Sequence, residues 1–186
     1  MGHDDDLKEA LIYLQRHRWA GGKQPVENPD GSKTVTCQMK DLSGRVVWDS
    51  NDTWSGTDRI LGDVIVRHWG QIDWHLHYSG GLKRTAITTD GKRYVFLDED
   101  KTFPVIEIFK FMQKAFLAGG QPIRGPPEFR AGNLLYRNFL QGDINEPKGY
   151  DVVFYLEEQP NTSTDLKKAS PPIELHRIEY SGGRPI

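Results

Sequence analysis

The segment "IDWHLHYSGG", residues 72–81, decides the predicted fold, because the chain nearly repeats it as "IELHRIEYSGG" at residues 173–183. Successive side chains of a β-strand point to opposite faces of the sheet. One face is then expected to carry the more apolar set, Trp74, Leu76 and Tyr78 in the first segment and His176, Ile178 and Tyr180 in the second. The opposite face is expected to carry Asp73, His75 and His77 in the first and Leu175, Arg177 and Glu179 in the second. Both segments are predicted to be strands that end at a glycine pair.

The two best helix candidates are also similar to each other. "LKEALIYLQRHRWAGG" (7–22) and "VIEIFKFMQKAFLAGG" (105–120) align without a gap, and both end in Ala-Gly-Gly. Their apolar residues recur at helical spacing, and glycine at the end of each suits a helix exit. The helices and the closing strands match at nearly the same spacing along the chain, which indicates an internal repeat.

Short alternating segments after each helix are typical of antiparallel strands. We therefore expect an α+β fold of two pseudo-symmetric repeats, each with one helix followed by antiparallel strands in hairpins. The chain would form a single domain divided into repeat one at about 4–82, a connecting hairpin at about 83–100 and repeat two at about 101–184. The polar, proline-bounded stretch 159–172 is expected to be a mobile insertion.

Composition narrows the classes of partner and compartment. Lys and Arg total 24 against 26 for Asp and Glu, so no overall positive field would attract nucleic acid to this chain alone. The single Cys37 cannot form an internal disulfide, and the N-terminus lacks the pattern of a secretion signal. No apolar run approaches the length of a membrane span. A cytoplasmic protein without a membrane association is expected.

Aromatic and glycine motifs resemble those of a known family. "GTDRILGDVIVRHWGQIDWHLHYSGG" (56–81), the second helix, "GNLLYRNFLQGD" (132–143) and the closing "IEYSGG" resemble an uncharacterised family of domains. Its members occur alone or fused behind helix-turn-helix regulators in bacteria and archaea. This chain departs from the family pattern in two places. It has Trp54-Ser55-Gly56 where a tyrosine and a glycine pair are usual, and it has Ser79 where a second tyrosine is common. The resemblance implies a fold but no catalytic residues, because the family has no established activity.

A His-x-His pair suggests a metal site as one alternative. His75 and His77 share a strand face, and His68 could approach from the neighbouring strand to complete three ligands. The repeat places Arg177 and Glu179 at the equivalent positions of the second half, which favours a solvent-facing polar surface instead. No metal and no other cofactor is therefore favoured.

The polar strand faces suggest a shared surface. Asp73, His75, His77, Arg177 and Glu179 would lie together if the two closing strands were neighbours, and could then transfer protons or bind a charged ligand. The simpler interpretation is an exposed sheet with cross-strand ion pairs.

All five tryptophans fall in the first half of the chain, although the framework repeats. This asymmetry points to a pocket near Trp48, Trp54, Trp69 and Trp74, with Tyr78 and Tyr180 as further candidate ligand contacts. Core packing is the alternative role for the same rings. The basic run at 16–23, "RHRWAGGK", is explained by the helix dipole, which favours positive charge at a helix C-terminus.

These observations lead to three hypotheses. The favoured one is a small-ligand or partner-binding module without catalysis, whose partner is an unknown small molecule or protein. The second is a metal-dependent enzyme that uses the histidines. The third is a structural protein that forms a homodimer through an exposed sheet edge.

Overall fold

The structure is a computed structural model that describes residues 2–84, 86–119, 121–157 and 171–185. Most of the predicted insertion at 159–172 lies outside the described residues. The helices are α1 (His3–His17) and α2 (Val105–Ala118). The strands of the first half are β1 (Val26–Glu27), β2 (Lys33–Lys40), β3 (Val46–Ser55), β4 (Arg59–His68) and β5 (Gln71–Leu82). Those that follow are β6 (Ala86–Thr89), β7 (Lys92–Phe96), β8 (Thr102–Pro104), β9 (Glu128–Ala131), β10 (Leu134–Gln141), β11 (Lys148–Tyr155) and β12 (Ile173–Gly183).

Within the described ranges, nine strands form one large antiparallel sheet in the order β1-β2-β3-β4-β5-β12-β11-β10-β9. The remaining strands form a small sheet in the order β6-β7-β8. The hairpin between β6 and β7 turns at Asp90 and Gly91, which both have positive φ, as a tight hairpin turn requires.

The predicted fold class, an α+β arrangement of two helix-then-hairpin repeats, is wrong. The structure is mostly β, because β5 and β12 hydrogen-bond to each other and join the hairpins of both halves into one continuous sheet. Tyr78 pairs directly with Tyr180 at this junction. Alternation along a strand shows which face a side chain takes, but it carries no information about which distant strand is the partner.

Both helices pack against the large sheet through their apolar residues. Leu7, Leu11 and Leu14 of α1 are buried in one cluster with Trp74 and Leu76 of β5. On α2, Ile108, Met112 and Phe116 are buried in a second cluster, which includes Tyr136 of β10 and Leu175 of β12. The acidic residues Asp4, Asp5 and Asp6 occupy the first turn of α1, where the helix dipole favours negative charge.

A β-bulge in β12 changes the predicted faces of that strand. Val153 pairs with His176 and Phe154 pairs with Glu174, which leaves Leu175 as the extra residue. Leu175 and His176 are consequently both buried, although simple alternation predicted that they would point to opposite faces.

Candidate functional site

A cavity of about 520 Å³ lies between the large sheet and the two helices. Its lining is rich in aromatic rings from both helical and strand segments, including Trp19, Trp54, Trp74, Tyr78, Phe109 and Phe116. Small-molecule sites have volumes of about 300 to 1,000 Å³ and similar apolar linings with a few polar groups. The cavity therefore has the size and surface of a ligand pocket.

One wall of the cavity contains Arg124, in the irregular segment between α2 and β9. Its guanidinium lies over the rings of Phe116, Tyr78 and Tyr180, at 5.0, 5.6 and 5.9 Å from the ring centroids. The Arg124 backbone has φ 61°, a conformation that is uncommon outside glycine. The Gln15 side chain donates a hydrogen bond to the Arg124 carbonyl at 2.6 Å, so α1 helps to hold this backbone in place.

Asp151 on β11 anchors the Arg124 side chain. Arg124 Nε donates to Asp151 Oδ2 at 2.6 Å, and the Tyr136 hydroxyl donates to the same oxygen at 3.3 Å. Asp151 is completely buried. Burial raises the pKa of its carboxyl, and the charge of Arg124 opposes that rise. The pair holds the guanidinium of Arg124 over the aromatic rings of the lining.

A second arginine lies at the end of α1. Arg18 is 8% exposed, and its Nε donates to the Leu14 carbonyl at 3.3 Å. Its Nη1 lies 4.0 Å from Asp52 Oδ2, too far for a hydrogen bond, and has no hydrogen-bond partner among the described residues. The other Asp52 oxygen accepts a hydrogen bond from the Tyr78 hydroxyl at 2.7 Å. Arg18 thus retains an unused donor at the cavity.

His176 on β12 is the third buried polar group of the lining. It is 1% exposed, and its ring meets Phe109 edge to face with the centroids 5.8 Å apart. Within the described part of the chain, neither ring nitrogen has a hydrogen-bond partner. Burial, together with the charges of Arg124 and Lys83, lowers the pKa of His176 to about 3. The ring is therefore neutral near pH 7, with one nitrogen able to donate and the other able to accept.

Comparison with known proteins assigns the chain to a family. The sequence model described as Domain of unknown function (DUF5680) matches residues 52–163, more than half of the chain. The chain belongs to this family. No curated protein and no solved structure matches it. The matched range contains Asp52, Trp54, Tyr78 and Arg124 of the cavity, whereas Arg18 and His176 lie outside it.

The structure brings together only some of the aromatic residues predicted as ligand contacts. Trp54, Trp74 and Tyr78 line the cavity, and the Trp74 Nε1 donates a hydrogen bond to the Ile144 carbonyl at 2.8 Å. Tyr180 is outside the lining, although it lies beneath Arg124, and its hydroxyl donates to Asn138 Oδ1 at 2.6 Å.

The other two predicted tryptophans lie elsewhere. Trp48 is buried and stacks on His68 with the ring centroids 4.2 Å apart. Trp69 is 53% exposed in the turn between β4 and β5, near the guanidinium of Arg45. The four predicted tryptophans therefore do not form one pocket.

The predicted polar surface is divided by a second β-bulge. Val66 pairs with Trp74 and Arg67 with Ile72, which leaves Asp73 as the extra residue. Its carboxylate contacts His3 of α1 at 3.0 Å, and α1 covers the Trp74 side of the sheet.

The remaining members of that surface have other partners. His77 pairs with Asp63 across β4 and β5, whereas Arg177 pairs with Glu174 of its own strand at 2.7 Å. Glu179 is exposed on β12 and pairs with Ser79 of β5 in the strand register. Because β5 and β12 are neighbours, their register places His75, His77, Arg177 and Glu179 on one face of the sheet, whereas the bulge displaces Asp73.

The three histidines considered as metal ligands are not grouped. His75 and His77 have ring centroids 5.4 Å apart, but His68 packs against Trp48 and His3. Across the described ranges, no group of three or more His, Cys, Asp or Glu side chains is arranged to hold a metal ion. Neither α1 nor α2 has the length and apolar character needed to cross a membrane.

Sequence reasoning missed Arg18, Asp52, Arg124 and His176 as residues of the cavity. Arg18 belongs to the basic run that the helix dipole explained, and Arg124 lies in a proline-rich segment without periodicity. The one available signal was His176, because it takes the place of Trp74 in the apolar set of the repeated strand. A polar residue at a predicted core position marks a candidate site.

Proposed function

We propose that this protein is a small-molecule-binding module without catalysis, and that its ligand occupies the cavity between the sheet and the helices. The observation that carries the proposal is the presence of unpartnered polar atoms in an aromatic lining. Arg18 Nη1 and both ring nitrogens of His176 are buried there without hydrogen-bond partners among the described residues. Native proteins satisfy most such atoms with protein groups, water or ligands, so these three atoms can each make a further hydrogen bond.

The energetics favour a polar ligand group next to these atoms. A buried polar atom without a hydrogen bond costs about 1 to 3 kcal/mol, and more when it is charged. A ligand that bonded Arg18 and His176 would recover this cost while its apolar part covered the rings of Trp54 and Phe109. Fusion of similar domains behind helix-turn-helix regulators, which the sequence resemblance implies, is consistent with a ligand-sensing role.

The proposal can be tested with three aromatic probes of similar shape, namely 2-naphthylacetate, 2-naphthylacetamide and 2-(2-naphthyl)ethylamine. We expect at least one probe to bind in isothermal titration calorimetry. Trp54→Ala should weaken that binding about tenfold, because loss of one aromatic contact surface costs about 1 to 2 kcal/mol.

Trp69→Ala is the matched control, because Trp69 lies in an exposed turn outside the cavity lining. Its affinity for the same probe should equal that of the wild type. If no probe binds at millimolar concentration, or if both variants bind as well as the wild type, the cavity is not a ligand site.

A further inference from the structure

We propose that the ligand is an organic anion, with an apolar or aromatic body and one carboxylate that binds Arg18 and His176. This inference rests on the proposed function, since it names the class of molecule that the same cavity takes.

The charged side chains around the cavity are mostly basic. Six lining residues are basic, namely Arg18, Lys23, Lys33, Arg93, Lys110 and Arg124, whereas Asp52 is the one acidic residue of the described lining. The whole chain has a net charge of −2. The positive lining is therefore a local feature of the cavity and does not follow from the average composition.

Three of these basic side chains form close ion pairs with carboxylates. Arg93 pairs with Asp58, Lys110 with Glu107 at 2.9 Å, and Arg124 with Asp151 at 2.6 Å. Lys23 and Lys33 have no ion-pair partner among the residues that the structure describes. Arg18 has only a long ion pair, at 4.0 Å from Asp52, so the described lining keeps an excess of positive charge.

Arg18 can donate a further hydrogen bond, because its Nη1 has no acceptor among the described residues. Asp52 lies 4.0 Å from Nη1 and already accepts the Tyr78 proton through its other oxygen, so it does not satisfy the guanidinium. A carboxylate is planar and matches the fork of guanidinium donors. Because Arg18 is buried, a charge-assisted hydrogen bond there would be screened less than at the surface.

The polar groups of the cavity suit a ligand with one negative charge. His176 is neutral and adds one donor and one acceptor, whereas Asp52 would repel a ligand of high negative charge. A dianion such as a phosphate monoester would need more donors than one free guanidinium and one imidazole provide. The aromatic lining, in turn, requires an apolar body, so a monocarboxylate with such a body fits the site best.

The test compares the affinities of the three naphthyl probes for wild-type protein and adds a fourth, 2-naphthylmethylphosphonate. We expect 2-naphthylacetate to bind about 10 to 100 times more tightly than its amide, which is the range for a hydrogen bond to a charged group. Arg18→Met should remove the preference for the acid, because it weakens binding of the acid more than binding of the amide. Arg45→Met, on an exposed hairpin outside the cavity lining, should alter neither affinity.

The variant Asp52→Asn distinguishes an effect on binding from damage to the fold. It removes the carboxylate of the described lining but keeps an oxygen for the Tyr78 hydroxyl, and it should strengthen binding of the acid about three- to tenfold. A gain of affinity cannot come from unfolding. The inference would be contradicted if Asp52→Asn weakened binding of the acid and strengthened binding of none of the probes.

The outcomes distinguish the two proposals. If the probes bind in a manner that depends on Trp54 but the amide or the amine binds as tightly as the acid, the anion assignment fails and the proposed function stands. If the phosphonate binds more tightly than the acid, the assignment to a monocarboxylate is overturned. If no probe shows binding that depends on Trp54, both proposals fail together.

Discussion

Replacing Arg124 with methionine should reduce the free energy of unfolding by about 3 to 5 kcal/mol at pH 8. The magnitude follows from what remains around Asp151. Its Oδ2 would keep only the Tyr136 hydroxyl at 3.3 Å, and its Oδ1 has no hydrogen-bond partner in the described structure. An ionised carboxylate that is completely buried would thus lose its positive partner. Domains of this kind have a total stability of about 5 to 15 kcal/mol, so the loss is large but measurable.

The dependence on pH gives this prediction a definite sign. Burial raises the pKa of Asp151 above its value in the unfolded chain, and removal of the opposing Arg124 charge would raise it further. A carboxyl with a raised pKa holds its proton more tightly in the folded state, so stability falls as the pH rises between the unfolded and folded pKa values. The Arg124→Met variant should therefore recover stability relative to the wild type as the pH is lowered, by at most about 1.4 kcal/mol per pH unit.

Urea denaturation followed by tryptophan fluorescence, at pH 8.0 and pH 5.5, measures these differences. The double variant Arg124→Met with Asp151→Asn removes the unpaired charge and should regain about 2 kcal/mol over Arg124→Met alone at pH 8. The reasoning would be refuted by a cost below about 1 kcal/mol for the single variant. A double variant no more stable than Arg124→Met would refute it equally, since burial of an unpaired carboxylate would then not be the cause.

Two further predictions concern single sites. As the pH falls from 7 to 5, the free energy of unfolding of the wild type should decrease by about 2 kcal/mol relative to that of His176→Phe. The reason is that the pKa of His176 in the folded protein is about 3, so the unfolded chain binds a proton first. Equal pH profiles of the two proteins in urea titrations would exclude a buried neutral imidazole. Gly81→Ala should cost several kcal/mol, because its φ is 137° and an added Cβ would overlap the Asp58 carbonyl oxygen. Gly44→Ala is its matched control, with φ 83° and nothing within 4 Å of the added carbon, and should cost only about 1 to 2 kcal/mol; equal melting temperatures for the two variants would contradict the close strand approach.

Local patterns predicted some features of the fold but could not predict its architecture. Helices were expected at 7–22 and 105–120, and α1 and α2 occupy most of those ranges. The set Trp74, Leu76 and Tyr78 is buried as alternation required. The pairing of β5 with β12 joins segments far apart in the chain, and the two-residue period of a strand is the same whichever partner it has. The two-repeat interpretation therefore failed at the step from strands to sheet.

The bulges show a second limit of sequence reasoning. Asp73 and Leu175 each take up the extra residue where two strands pair, so alternation assigned them to the wrong neighbours. A bulge is a property of the paired strands and not of one strand alone. For the same reason the candidate site was only partly predicted. Arg18, Arg124 and His176 come from a helix end, an irregular segment and a strand, and only the folded chain brings them to one cavity.

The repeated tyrosine and glycine residues explain why the cavity lies at the centre of the sheet. Gly80 and Gly81 have φ of 147° and 137°, and an added Cβ would overlap the carbonyl oxygen of Arg177 in β12 at Gly80 and that of Asp58, just before β4, at Gly81. Glycine therefore permits the close strand approach that places Tyr78 opposite Tyr180. Arg124 lies over these two rings, and Arg18 approaches the Tyr78 hydroxyl through Asp52. The repeated motif thus forms the supporting surface, whereas ligand selectivity would depend on the residues above it, which the motif itself does not include.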